Sequence, residues 1–196
     1  MPKIVDHDER RELIVDATWR LIQRGGFDRA TMREIAEEAG FAHGALARYF
    51  PDKQSLISAA FVRAYSATNA RLDEALAGVT GLAGLRELCR QILPFGASSR
   101  PYARVVVAFW EQAMQNDDLS QLHRSNNMRW RGLMWTFLEQ ARSEGELDDG
   151  VEIGAVVDEV AAMNAGWQVM SLLMPETAID ERITAALDQF LDRIRA

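Results

Sequence analysis

The residues able to carry bond-making chemistry are few and scattered. The chain of 196 residues has three histidines, His7, His43 and His123, and one cysteine, Cys89. None of them falls at metal-ligand spacing such as His-Glu-x-x-His, and no glycine-rich phosphate loop accompanies them. His123 beside an acid could act as a general base, yet nothing in the sequence singles it out. Arg86 and Arg90 flank Cys89 and would favour a reactive thiolate; a buried structural thiol is the plainer reading. One cysteine also excludes an intrachain disulfide. Neither turnover nor a metal or cofactor is expected.

The second part of the chain is better equipped for binding. Trp110 and Met114 share a helical face with Val107, and His123, Asn127, Trp130 and Met134 form a second stripe. Met163, Trp167 and Met170 continue a third, from Val156 and Val160 to Met174. Each stripe alone reads as core. His123, Asn127, Asn164 and Gln168 lie on or beside these apolar faces, and a packed core rarely takes several such groups without partners. An apolar pocket with a few convergent polar groups is the expected form of a ligand site.

The elements that must position these residues are helical throughout, with no alternating β-branched runs and no internal repeat. Breaks at Gly25-Gly26, Gly40, Pro51, Gly78/Gly81, Pro94/Gly96, Asp117-Asp118, 145–150 and Pro175 divide the chain into about nine helices. The expected class is all-α, with a three-helix domain over 1–52 and a larger helical domain over 53–196. On the first helix, Leu13, Ala17 and Leu21 form one apolar stripe and Val15, Trp19 and Ile22 another. A fourth helix from about Lys53 to Ala77, capped by Asp52, would span roughly 35–40 Å and join the two domains.

Hydrophobic content of 48% and charged content of 26% suit a soluble globular protein. No leader is seen, and the longest nearly apolar run, Val160 to Met174, is shorter than the roughly 20 residues of a membrane span. A cytoplasmic protein without membrane contact is expected. Net charge is −7, unfavourable for nucleic acid. The acidity lies mainly late: residues 1–60 carry nine basic and ten acidic side chains, residues 61–196 carry 13 and 19.

Residues 31–50 have helix-turn-helix proportions: a capping box at Thr31-Met32-Arg33-Glu34, a turn at Gly40, and a second short helix that turns Leu46 and Phe50 inward. Short helical hairpins are also common in ordinary bundles. The run from Thr31 to Gly40, with Gly44, Leu46, the segment Tyr49-Phe50-Pro51-Asp52-Lys53 and Leu56, resembles the DNA-binding segment of the tetracycline-repressor family over about residues 10–57. The resemblance implies a dimeric regulator that binds double-stranded operator DNA. It places Thr31, Arg33, Tyr49 and Lys53 on phosphates, and His43, Ala45 and Arg48 near base edges. Ala42 and Ala47 depart from the pattern, one removing the usual N-cap and the other an aromatic backbone contact.

The stretch from Ala108 to Met114, with Leu119, Leu122, Asn164 and Trp167, is similar to the ligand domain of the choline-responsive repressor of betaine synthesis. It implies a small-molecule effector, with an organic cation as one candidate, caged by tryptophans and balanced by Glu111; a neutral or aromatic molecule fits the same residues. Ile183, Leu187, Phe190 and Ile194 repeat at near-heptad spacing, and Ala155, Ala161, Ala162, Ala165 and Gly166 would allow close helix approach. The resemblance makes these a homodimer interface; burial within one chain is the alternative. The expected function is a repressor released from its operator by a small molecule. The alternative is a dimeric interaction module of the same fold that has lost DNA binding.

Overall fold

The computed structural model describes residues 7–96 and 99–196, with backbone alone for Asp28, His43, Ser99, Arg100 and Pro101. Eight α-helices are present among the described residues: α1 His7–Gly25, α2 Met32–Ala39, α3 Lys53–Ala75, α4 Gly81–Ile92, α5 Ser99–Gln115, α6 Asp117–Ser143, α7 Ile153–Leu173 and α8 Asp180–Ile194. Two 3-10 segments, Phe27–Arg29 and His43–Arg48, complete them. The ninth expected helix is thus the second 3-10 segment. Its N-cap residue, Ala42, has no side chain to bond the free N–H groups, and only six residues separate it from Tyr49.

The N-terminal unit is built from α1, α2, the second 3-10 segment and the start of α3. Helix α1 buries Ile14, Val15, Ala17, Thr18 and Ile22. Leu13, expected to face inward, is 50% exposed, because α2 and α3 pack along the face centred on Ile14. Gly26, at φ 74°, turns the chain after α1. At α2, Glu34 N donates to Thr31 Oγ1 at 3.2 Å and Thr31 N to Glu34 Oε2 at 3.4 Å, the capping box read from the sequence. Gly40 ends α2 in the left-handed conformation, φ 73° and ψ 28°. Leu46 and Phe50 are fully buried against Ile35 and Leu56.

Helix α3 crosses from one core to the other. Its 23 residues span about 34 Å at 1.5 Å per residue. Leu56, Ile57, Ala60 and Phe61 belong to the N-terminal core, and Leu72 to the second. The first core does not close on itself: Val105, Phe109 and Ala113 of α5 and Leu119 of α6 complete it. The second core gathers α4, α6, α7 and α8. Gly84 lets α4 approach Phe137, whose ring would lie 2.3 Å from an added Cβ. Glu146, from the α6–α7 connection, accepts from Leu82 N at 2.8 Å and caps α4, where Thr80 makes no side-chain bond.

One expectation is corrected here. Ile183, Leu187, Phe190 and Ile194 are 0–4% exposed and sit in the core of their own subunit. They cannot be the face that a second subunit covers. Helix α8 is a single amphipathic helix whose apolar stripe is used up by α4 and the C-terminal core, the ordinary fate of such a stripe.

Candidate DNA interface and effector cavity

The helix-turn-helix surface is a ridge of small residues with one cation. In a 3-10 segment, side chains three apart eclipse, which aligns Ala42, Ala45 and Arg48. Ala42 and Arg48 are exposed and Ala45 is half-buried. The side chain of His43 lies outside the described residues. Arg33, Arg48 and Arg29 are exposed and engage no hydrogen bond or ion pair among the described residues. Thr31, exposed, holds the cap of α2 and keeps its hydroxyl on Glu34 at 2.8 Å. Tyr49 is half-buried, its ring 4.6 Å from His7 and 6.0 Å from Phe41, while its carbonyl accepts from Arg11 at 2.8 Å.

Lys53, expected on a phosphate, is engaged within the unit in the DNA-free chain. Its Nζ donates to the Phe27 carbonyl at 2.9 Å and ties α3 to the first 3-10 segment. Other cations of the unit are likewise engaged internally. Arg20 and Arg24 share Glu38, and their hydrogen bonds, Arg20's first, hold its carboxyl below the usual range despite opposing desolvation. Arg63 pairs with Asp16. Two acids of this unit, Glu38 and Asp16, thus hold three of its arginines, which leaves Arg29, Arg33 and Arg48 as its exposed cations without an internal partner among the described residues.

A cavity of about 240 Å³ opens between α3, α5, α6 and α7. Trp110, His123, Asn127, Trp130, Met134 and Asn164 line it, as read from the sequence. Met114 does not: it is 80% exposed. Met163 and Trp167 pack on the C-terminal core instead, and Met170 also lies outside the wall. The sequence stripe on α7 thus followed the face turned to the C-terminal core rather than the one that lines the cavity. Glu111 is exposed and off the wall. Of the small residues on α7, Ala161 and Ala165 line the cavity, while Ala155, Ala162 and Gly166 are exposed.

The missed wall residues come from other helices. Trp19 of α1, Phe61 and Tyr65 of α3, and Tyr102 and Phe109 of α5 make one side a run of aromatic rings. Phe61 and Phe109 pack with tilted rings, centroids 4.1 Å apart and planes at 40°, and Phe61 is also buried in the N-terminal core. No single-helix pattern marks such residues; only the α1–α5 and α3–α5 contacts bring them together.

Several polar groups of the wall are bonded, to one another or to the adjacent Asn69 and Asn126. The Tyr65 phenol lies 3.2 Å from His123 Nδ1, Trp130 Nε1 donates to Asn69 Oδ1 at 3.0 Å, and Asn69 donates to Asn126 at 3.0 Å. Burial pushes the His123 imidazolium below its ordinary pKa and the Tyr65 phenol above its own, so both are neutral at pH 7. Gln168, 1% exposed, donates through Nε2 to the Ile92 carbonyl at 3.0 Å, which fixes the orientation of its amide. Its Oε1 is then a buried acceptor without a partner. Such an atom is costly unless something donates to it. Cys89 is fully buried, and desolvation pushes its thiol up to about 12, which makes it structural.

With this geometry in hand, comparison with known proteins is decisive. The family of bacterial regulatory proteins, tetR family, matches residues 14–60, and the C-terminal domain of BetI-type transcriptional repressors matches residues 82–196. This chain belongs to the tetR family. It is a helix-turn-helix transcriptional regulator of a non-enzyme family. It is 26% identical over 196 residues to the regulator PksA of Bacillus subtilis, covering 99% of this chain and 94% of the relative. To the regulator BetI of Burkholderia mallei it is 31% identical over 133 residues, 66% of this chain and 67% of that one. A choline-bound crystal structure from Saccharomonospora viridis, described as a transcriptional regulator, superposes with a TM-score of 0.89 at 20% identity, covering 96% and 99% of the two chains. The expected three-helix DNA-binding unit and helical C-terminal domain are therefore correct for this tetR-family chain. No described helix is long and apolar enough to cross a membrane.

Proposed function

We propose that this tetR-family chain is a repressor released from its operator by a small molecule that enters the aromatic cavity. One observation carries the reading: the cavity and the DNA-binding unit share walls. Trp19 of α1 and Phe61 of α3 line the cavity, and both helices belong to the core on which the recognition segment is seated. A ligand that favours one packing of these rings biases the tilt of α1 and α3 together. It thereby shifts the population competent for DNA. Arg48, with Ala45 and His43, reads base edges; Arg33, Thr31 and Tyr49 position the unit on phosphates.

The repressor acts as a two-fold dimer in the cytoplasm, so that two recognition segments meet half-sites about 34–36 Å apart. Its interface is the outer face of α7, where Ala155, Ala162, Gly166 and Leu173 are all exposed at spacings of seven, four and seven. A Cβ added to Gly166 would meet no atom within 4 Å, so nothing inside the subunit demands glycine there. Close approach of a partner helix would. The test is fluorescence anisotropy on DNA flanking the chain's own gene, with candidate ligands added. Binding weakened by a cavity ligand supports the reading. No binding to any flanking DNA favours an interaction module that has lost DNA recognition, the reading prompted by Ala42 and Ala47.

A further inference from the structure

The aromatic cavity adjoins an open groove of about 790 Å³, and the two share Trp19, Ala64, Thr68 and Tyr102 as a common wall. The groove runs outward past Arg71 of α3 and past Arg90 and Phe95 at the end of α4. Across both hollows the charged wall residues are Arg71, Arg90 and Arg131, and no carboxylate lines either among the described residues. The chain as a whole has 29 acidic and 22 basic side chains, so an acid-free wall with three guanidiniums runs against its composition.

The three guanidiniums are not equally satisfied. Arg131, in the inner cavity, is bonded to Asp158. Arg90 stands 5.7 Å over the Phe95 ring and only 3.9 Å from Glu87, longer than a hydrogen bond. Arg71 is exposed and engages no hydrogen bond or ion pair among the described residues. The positive charge still seeking a partner is thus in the outer groove, and the aromatic rings are in the inner cavity.

We infer that the effector is an amphipathic oxyanion, with an apolar body among the rings and a carboxylate or phosphate head at Arg71 and Arg90. This rests on the effector reading above. Planar guanidinium forks match the geometry of either head. A quaternary ammonium, such as the choline held by the Saccharomonospora viridis relative, would find ring faces here but no wall carboxylate among the described residues, with Arg71 and Arg90, neither hydrogen-bonded to an acid, in the adjoining groove.

Calorimetry on the full chain with one body and several heads tests this: 4-phenylbutyrate, 4-phenylbutyl phosphate, 4-phenylbutanol and 4-phenylbutyltrimethylammonium, with choline beside them. Operator affinity is measured in parallel for each. At low salt at least one anion binds tenfold or more tighter than the alcohol, and its advantage shrinks as salt rises; which anion leads identifies the head. The double variant Arg71→Gln/Arg90→Gln, checked for folding by circular dichroism, removes that advantage and leaves the alcohol's affinity in place. An alcohol, ammonium or choline that binds as tightly as both anions overturns the oxyanion head, as does a double variant that keeps the advantage. In those cases ligand-dependent loss of operator binding still upholds the effector reading. Absence of binding by all five, with operator affinity unchanged, overturns both.

Discussion

Arg48 and Lys53 carry the same charge five residues apart, yet their surroundings assign them different work. Arg48 is exposed on the ridge of the recognition segment with no internal partner among the described residues. Arg48→Ala should lower the preference for operator over scrambled DNA by about 1–3 kcal/mol, the worth of a bidentate base contact. Lys53 bonds the Phe27 carbonyl, so Lys53→Met should lower stability by about 1 kcal/mol and leave that preference nearly unchanged. Anisotropy on the two DNAs and thermal melts of both variants decide the point. A Lys53 variant that melts like wild type but loses affinity for all DNA would return this lysine to the phosphate role. Both residues were legible as cations of the motif. The Phe27 bond was not, because it joins positions 26 residues apart across a turn whose path the sequence does not display.

At the scale of elements, α3 and α5 are coupled by aromatic packing rather than by polar links. Phe61 and Phe109 pack as a tilted pair at 4.1 Å, Trp19 meets Phe61 edge-on at 5.9 Å, and all three line the cavity. Phe109→Leu removes the ring and leaves a small void, at a cost of about 1–2 kcal/mol. Ligand affinity measured by calorimetry should fall modestly, whereas operator release per bound ligand should be blunted. Full release by the saturated variant would place the coupling elsewhere. A second test concerns α4 and α6. Gly84→Ala puts a Cβ 2.3 Å from the Phe137 ring, and overpacking of this kind costs about 1–3 kcal/mol. A melting temperature equal to wild type would show that Phe137 can move aside freely.

At the scale of the whole molecule, stability depends on pH. Burial holds His123 below its ordinary value of 6.5, so in the unfolded chain it takes up a proton more readily than in the folded one. Stability is therefore fully present above about pH 6.5 and declines as pH falls below it. The drop in melting temperature between pH 7 and pH 5.5 should be smaller in His123→Gln than in wild type. The Glu38 carboxyl is depressed instead, so its contribution is lost at lower pH, as the medium falls below 4.5 toward its folded value. Assembly is tested by sedimentation. Gly166→Glu places a charge on the outer face of α7 and should turn a dimer into a monomer that still folds, since a Cβ added there meets no side chain of its own subunit within 4 Å. A dimer that survives this change lies on another face.

The sequence by itself determined the local and periodic features. Capping residues, glycine breaks and helical spacing are written within ten or so consecutive residues, which is why the capping box at Thr31, the turn at Gly40, the span of α3 and the all-helical class follow from it. Six cavity residues on α5, α6 and α7 were legible for the same reason: polar groups interrupt apolar faces of single helices. Only the tertiary structure decided which face of each helix meets which neighbour. It turned Met163 and Trp167 into the core, left Met114 in solvent, and buried Ile183, Leu187, Phe190 and Ile194 inside the subunit. It also brought Trp19 and Phe61 to the cavity, and gathered Arg71 and Arg90 on one groove that no carboxylate lines among the described residues. A periodic stripe states that a helix has an apolar face, but the rotation and partner of that face are set by packing against segments distant in the chain.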